Sequence, residues 1–148
     1  MSISLSDASL KTYRQLLPAS LAIMKKAEKY FTDEGANLND LAGMRLIEDM
    51  APLTFQVFSV VHHSVGAIDA LKTGEFAPPK MPENLSFNDL IDMLENAEEK
   101  LNHFSDEDIN SLSGKEVMFR MGQIEWAFTA EDFILSFSLP NFLSLIHI

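Results

Sequence analysis

Apolar residues along the range Ser6–Glu34 recur every three or four positions, which is the spacing of one face of an α-helix. They are Leu10, Tyr13, Leu17, Leu21, Met24, Ala27 and Phe31. Gly35 ends the pattern. Pro18 lies inside it, lacks an amide hydrogen and collides with the preceding turn, so we expect a kink or break near Leu17. A helix this long with one apolar face requires other helices to cover that face.

The same helical spacing of apolar residues predicts two more helices in about the next 40 residues. A short one is expected around Asp40–Ile47. Pro52 suits the first turn of a helix, and a long helix over Leu53–Lys72 is predicted to end at Gly74. Its many β-branched residues lower its intrinsic helix propensity, so packing must hold it helical.

A Pro-rich stretch, residues 75–85, predicts an extended crossover. Ser86 with Asp89 three residues later resembles a capping box and opens a third long helix that reaches about Phe104. Together with the two preceding helices, this crossover is typical of a helical bundle with one long connection.

The apolar period then changes from helical spacing to strict alternation, which is typical of β-strands. The alternating residues are Val117, Phe119 and Met121, then, beyond Gly122, Ile124, Trp126 and Phe128. Thr129 with Asp132 can cap a last helix, which Pro140 interrupts. The pattern predicts an all-α fold, a four-helix bundle with a small β-hairpin before the last helix.

Composition limits the function classes. The formal net charge is −11, which disfavours binding to nucleic acid and to anionic membranes. No stretch of about 18 apolar residues is present, so no membrane span is predicted. The N-terminal residues show no secretory signal, and the absence of cysteine excludes disulfides and thiolate metal sites. We expect a cytoplasmic protein.

Three motifs carry a resemblance to a known family. They are the runs Arg45–Val57 (RLIEDMAPLTFQV), Val60–Ile68 (VVHHSVGAI) and Phe137–Phe142 (FSLPNF). Together they resemble a bacterial and fungal domain-of-unknown-function family related to the DinB/YfiT-like metalloenzyme superfamily. The likeness covers about residues 1–142.

The resemblance implies an up-down-down-up four-helix bundle. In the wider superfamily three histidines hold a divalent metal such as zinc or nickel, one from the second helix and two from the fourth, and members perform thiol-cofactor-dependent transfer or isomerisation. The family pattern places a Tyr/Phe-His step after Phe142, where this chain has Leu143-Ser144-Leu145. Asn141 stands where an upstream ligand is expected, and asparagine is a poor zinc ligand.

The last six residues, Leu143–Ile148, are the translation of the codons CTG TCT CTT ATA CAC ATC. These codons match the mosaic-end adapter of transposase-based sequencing libraries. We therefore expect residues 1–142 to be a bundle domain with a truncated last helix and residues 143–148 to be a non-native tail.

His62 and His63 are the candidate metal ligands of an intact parent protein. Neutral imidazole is a common ligand, and zinc needs three or four protein donors. Adjacent helical residues point about 100° apart, so one of the two is expected to face a site. The alternative is that both are polar residues on the less apolar side of a helix.

Asp49 and Gln56 are the remaining candidate site residues. Asp49 is the catalytic candidate, as a general base or as a residue that orients a metal ligand; the alternative is an ion pair with Arg45, four residues earlier. Gln56 is the cofactor-binding candidate; the alternative is an ordinary hydrogen bond within the bundle.

Two functions follow as hypotheses. The first is a DinB-like protein derived from a metal-dependent, thiol-cofactor transferase and inactive as truncated. The second is a non-catalytic helical module that binds a small hydrophobic ligand or dimerises. A missing helix would expose the apolar faces of Val57–Leu71 and Leu90–Leu101, and such faces favour partners, so we predict self-association as a homodimer or larger species.

Overall fold

A computed structural model describes residues 3–146, and the described chain is predominantly helical. Its α-helices are α1 (Leu5–Ala8), α2 (Leu10–Asp33), α3 (Leu38–Ala42), α4 (Leu53–Val61), α5 (Ala67–Thr73), α6 (Phe87–Asn102), α7 (Asp106–Asn110), α8 (Ala130–Asp132) and α9 (Leu139–Ile146). A first π-helical segment, His62–Gly66, joins α4 to α5, and a second, Phe133–Ser138, joins α8 to α9. The strands are β1 (Glu75–Phe76), β2 (Glu116–Met121) and β3 (Ile124–Thr129).

Side-chain caps fix the starts of several helices. The Ser86 hydroxyl accepts a hydrogen bond from the amide of Asp89 at 3.2 Å, and the Asp89 carboxylate accepts one from the Ser86 amide at 2.7 Å. This is the predicted capping box, and it satisfies two amides that the first turn of a helix leaves without partners. Thr129 caps α8 through the amide of Asp132, as predicted.

The first predicted helix is interrupted at a different residue from the one expected. α2 continues through Pro18, and the break falls at Ser9, between α1 and α2. The Ser9 hydroxyl donates to the Leu5 carbonyl at 2.6 Å, so a side chain competes with the helical backbone bonds there. Leu17 and Leu21, on either side of Pro18, are buried, and their packing holds α2 together across the proline.

The fold is not purely α-helical, because three strands form a small sheet in the order β1–β2–β3. The predicted hairpin of β2 and β3 is confirmed, and Gly122 turns the chain with a φ of 61°. The parallel strand β1 was expected to be part of the crossover; it pairs Phe76 with Phe119. Two residues are too short a run to show alternation, which is why the sequence pattern missed them.

The last helical stretch differs from the predicted interruption at Pro140. α8, the second π-helical segment and α9 follow one another without a gap from Ala130 to Ile146. Pro140 is the second residue of α9 and follows directly on the second π-helical segment, so the helical stretch passes through the proline. His147, in the predicted tail, lies outside the described residues.

The core lies where α2 and α4 pack on α6 and where α9 packs on α4. The faces that were expected to be exposed are largely buried: Ile68, Leu71, Leu90, Leu94 and Leu101 are each at most 1% exposed. Within residues 3–146 no helix is both long enough and apolar enough to cross a membrane.

Candidate functional site

The histidine pair lies on the first π-helical segment, and both rings turn toward strand β1. The His62 ring stacks on Phe76 with 4.1 Å between centroids and 17° between planes, and the His63 centroid lies 5.3 Å from that of Phe76. The structure therefore differs from the expectation that one ring faces a site and the other points elsewhere. A π-helical turn changes the direction of successive side chains, so the 100° rule for an α-helix does not apply here.

The position of the His62 ring depends on Gly66. A Cβ atom built on Gly66 would lie 2.8 Å from His62 Nδ1, closer than atoms pack without displacement. The other ring nitrogen, Nε2, is buried and has no hydrogen-bond partner among residues 3–146. Glycine thus makes room for an imidazole that is only partly satisfied.

A serine connects the two π-helical segments to the first long helix. The Ser138 hydroxyl donates to the His63 carbonyl at 3.0 Å. The Tyr13 hydroxyl donates to Ser138 Oγ at 3.3 Å, and His63 Nδ1 lies 3.3 Å from the same oxygen. Because the Ser138 hydrogen is used by the carbonyl, the geometry favours the tautomer in which His63 Nδ1 carries a hydrogen and donates. We call His62, His63, Phe76, Ser138 and Tyr13 the histidine cluster.

Burial controls the charge of this cluster. It lowers the pKa of His62 to about 4, and burial together with the nearby His62 lowers the pKa of His63 to about 4. Burial also raises the pKa of Tyr13 above its usual range. At neutral pH all three side chains are therefore uncharged, and the cluster is filled by packed aromatic rings.

The residues present do not fit a complete metal site. In the part of the chain that the structure describes, no group of three or more His, Asp or Glu side chains could hold a metal ion. The expected upstream position, Asn141, is exposed and donates from Nδ2 to its own helix at Phe137 O, 2.7 Å away. Two imidazoles leave a tetrahedral ion short of protein donors.

Asp49, the catalytic candidate, is exposed in the loop between α3 and α4. Arg45, its predicted partner, donates instead to the Met50 carbonyl, and no ion pair joins Arg45 to an acid within residues 3–146. The predicted pairing assumed a helix here, whereas α3 ends at Ala42. Beyond that helix, residues four apart need not be neighbours.

A cavity of about 530 Å³ lies away from the histidine cluster, between α2, α4 and α6. Its walls are mainly apolar, and neither histidine contributes to them. Ala27, Phe31, Phe87 and Leu94 are among its apolar lining residues, and Ser20, Arg45 and Gln56 are among its polar ones. Volumes of 300–1,000 Å³, roughly, are usual for small-molecule sites.

Gln56 is the polar residue set into the wall of this cavity. Its side-chain Nε2 donates to Ala51 O at 3.1 Å, while Oε1 is buried and has no partner in the described chain. The residue is only 9% exposed. A buried acceptor without a donor costs free energy. The structure therefore places the predicted cofactor-binding residue in a cavity wall and separates it from the histidine pair.

The mouth of the cavity is apolar and exposed. Ile23, Met44 and Leu46 line it, and their exposed fractions are 65%, 57% and 73%. Sequence reasoning missed this feature. The available signal was the concentration of large apolar residues in a predicted connection, where polar residues are usual.

Comparison with known proteins agrees with this architecture. The crystal structure of a DinB family member protein from Shewanella denitrificans superposes with a TM-score of 0.77 and 20% sequence identity, covering 97% of this chain and 80% of that chain. At that identity the similarity shows the fold. No protein with a curated description matches the sequence. The model of a domain of unknown function, DUF1993, matches residues 5–144, and the chain therefore belongs to the DUF1993 family and has a DinB-like fold.

Proposed function

We propose that this chain is a non-catalytic helical module that binds a small hydrophobic ligand in the cavity between α2, α4 and α6. The observation that carries the proposal is an apolar cavity of about 530 Å³ with the unpaired Oε1 of Gln56 in its wall. Burial of apolar ligand surface supplies affinity at roughly 25 cal/mol per Å² before the costs of association.

A bound ligand would also reduce the apolar surface that the mouth of the cavity exposes to water. Ile23, Met44 and Leu46 present large apolar surface to water at the mouth, and an occupant would cover part of it. A small adjustment of Gln56 would let Oε1 accept a hydrogen bond from a ligand hydroxyl or amide. Polar groups of this kind, few and set in apolar walls, orient ligands in binding pockets.

The proposal includes descent from a metal-dependent transferase that has lost activity. The histidine cluster supports it, because two neutral imidazoles lie together without a third donor among residues 3–146. No catalytic step is assigned to them. Elemental analysis of the purified protein should find no stoichiometric zinc or nickel; retention that disappears in both His62→Ala and His63→Ala would overturn this part.

We further propose that the long helical units form an up-down-down-up bundle whose fourth helix is incomplete beyond Phe142. The departure from the family pattern supports this, since Leu143-Ser144-Leu145 stand where the resemblance implies a Tyr/Phe-His step. Sequencing the source gene through codon 142 tests it. An amphipathic continuation with a histidine would support the proposal, and the present six codons followed by a natural stop would contradict it.

Ligand binding can be tested with 1-decanol, a neutral apolar probe with one hydroxyl, by titration calorimetry. Ala27→Phe places a ring in the cavity and should weaken binding by about tenfold or more, because the ring occupies ligand volume. Ala19→Phe is the matched control, since Ala19 is exposed on the same helix and does not line the cavity.

Both variants must melt cooperatively by circular dichroism for the comparison to count. Val60→Ile, which enlarges another side chain that lines the cavity, offers a milder second variant. Equal decanol binding by the Ala27→Phe and Ala19→Phe proteins would contradict the proposal. So would the absence of decanol binding by the unmodified chain.

Self-association is the second candidate, favoured by the exposed apolar mouth. Light scattering coupled to size-exclusion chromatography measures it. A dimer that dissociates when Leu46 is replaced by Glu would place the interface at the mouth, and a monomer at every concentration would reject it.

A further inference from the structure

We propose that the ligand is an apolar chain ending in an anionic carboxylate, with the head held by Arg45 at the mouth of the cavity. This inference rests on the proposed ligand-binding function and specifies the chemical class of the ligand. Three observations carry it: the charge of the lining, the hydrogen bonds of its polar side chains and the direction from apolar depth to charged rim.

The charge of the lining is opposite to that of the chain. The protein contains 22 acidic residues against 11 lysines and arginines, yet among residues 3–146 the cavity is lined by one Lys or Arg side chain, that of Arg45, and by no Asp or Glu. The acids nearest in sequence do not neutralise it, because no carboxylate lies within ion-pair distance of Arg45 among residues 3–146. An anion is therefore the complementary partner.

The other polar side chains of the lining do not offer a second place for the head. Ser20 donates its hydroxyl to the Leu16 carbonyl at 3.1 Å. Gln56 donates its Nε2 to Ala51 O, and its Oε1 is a buried acceptor that has no hydrogen to give a carboxylate. One N–H of the Arg45 guanidinium donates to Met50 O. The planar guanidinium has five N–H donors, in an arrangement that suits a carboxylate.

The cavity is apolar from its depth to its mouth. Phe87 and Leu94, each 1% exposed, form the inner wall on α6. Ile23, Met44 and Leu46 are exposed at the rim beside Arg45. A hydrocarbon chain fits the wall, and a charged head fits the rim, where it keeps part of its hydration. Each added methylene that is buried should raise affinity about fourfold.

The test compares decanoate with 1-decanol at pH 8, below the concentration at which either aggregates, by titration calorimetry. The two probes share a chain and differ in the head. The unmodified protein should bind decanoate about tenfold more tightly, the gain expected from a charge-assisted hydrogen bond at a partly hydrated site. Arg45→Gln should remove that preference, because decanoate loses a charge-assisted hydrogen bond whereas decanol loses at most a neutral one.

Two further variants make the assignment specific. Lys26→Gln removes an exposed cation of α2 that does not line the cavity, so the preference for decanoate should remain. Arg45→Lys keeps the charge and loses the planar donor arrangement, and it should retain part of the preference. It also serves if Arg45→Gln fails to fold.

The outcomes separate this inference from the function on which it rests. Equal affinity for the two probes, or an unchanged preference in Arg45→Gln, overturns the carboxylate assignment while ligand binding stands. Failure of both probes to bind overturns both the carboxylate assignment and the proposed ligand binding. Light scattering would then be expected to show a dimer that covers the mouth of the cavity. Loss of preference in Lys26→Gln would show a general charge effect and also overturn the assignment.

Discussion

The histidine cluster and the apolar cavity differ in how the space between the helices is used: it is filled in the cluster and open in the cavity. In the cluster, polar side chains are packed among aromatic rings, kept neutral, and bonded to Ser138. In the cavity, space is left open and the walls are almost entirely apolar. The residues with the most versatile chemistry are therefore not the residues beside accessible volume. A function based on ligand binding uses the second region, whereas a metal function would require the first to open.

The largest expected difference between the regions is the cost of deleting an aromatic ring. Phe76→Ala should lower the free energy of unfolding by about 3–5 kcal/mol, because the ring is 3% exposed and contacts both histidines. Phe31→Ala, in the cavity wall and half-buried, should cost about 1–2 kcal/mol. Urea unfolding measures both, and equal costs would remove the contrast.

Gly66→Ala tests how tightly the histidine cluster is filled. The added Cβ would lie 2.8 Å from His62 Nδ1, and such overpacking should lower the free energy of unfolding by about 1–3 kcal/mol. In a His62→Ala background the same change should cost much less, since the obstacle is gone. Additive effects in the double mutant would show that the ring does not lie where the structure places it.

The pH dependence of stability reports burial of the two imidazoles. Their folded pKa values, about 4, lie below the ordinary value of 6.5. Between those limits the unfolded chain binds more protons, so the free energy of unfolding should fall as pH falls from 6.5 toward 4 and be level above that window. Allowing for solvent screening of half-buried rings, the loss should be roughly 1–2 kcal/mol.

The control for this titration is the His62→Gln/His63→Gln double variant, measured by urea unfolding from pH 7 to 5. The free energy of unfolding of this variant should depend less on pH, since carboxylates titrate mainly below this pH range. An identical slope in the variant would assign the acid sensitivity to other groups.

The smallest effects on the free energy of unfolding are expected at Gln56 and Asp49. Gln56→Met removes an unpaired buried acceptor and should raise the free energy of unfolding by about 0.5–1 kcal/mol. Loss of the hydrogen bond from Gln56 Nε2 to the Ala51 carbonyl reduces this gain. Asp49→Asn, at an exposed position, should stay within about 0.5 kcal/mol of the parent. Thermal melts can resolve the first change; destabilisation by Gln56→Met would mean that its bond to Ala51 outweighs the orphan oxygen.

Features set by neighbouring residues were predictable from the sequence. The capping pair Ser86 and Asp89, the cap at Thr129 and the hairpin turn at Gly122 depend on contacts a few positions apart. Helical periodicity likewise identified the buried face of α2. These are local signals, and they identified the predominantly helical character of the chain and most of its elements.

Features set by distant contacts were not predictable. Strand β1 exists because Phe76 pairs with Phe119, far along the chain. The π-helical turn under His62 and His63 has no simple spacing signature, so the direction of both rings was misjudged. Gln56 remains a candidate ligand-binding residue, and its place in a cavity wall depends on how α2 and α6 approach α4, which no short motif encodes.

The missing Cβ at position 66 also constrains the order in which this protein can change. Because a Cβ at position 66 would lie 2.8 Å from Nδ1 of the imidazole at position 62, the cost of an alanine or serine there depends on whether that ring shifts or has been replaced by something smaller. Loss of the histidine therefore makes replacement of the glycine less costly, and a side chain acquired at position 66 in turn raises the cost of restoring the ring. The two positions are expected to change together.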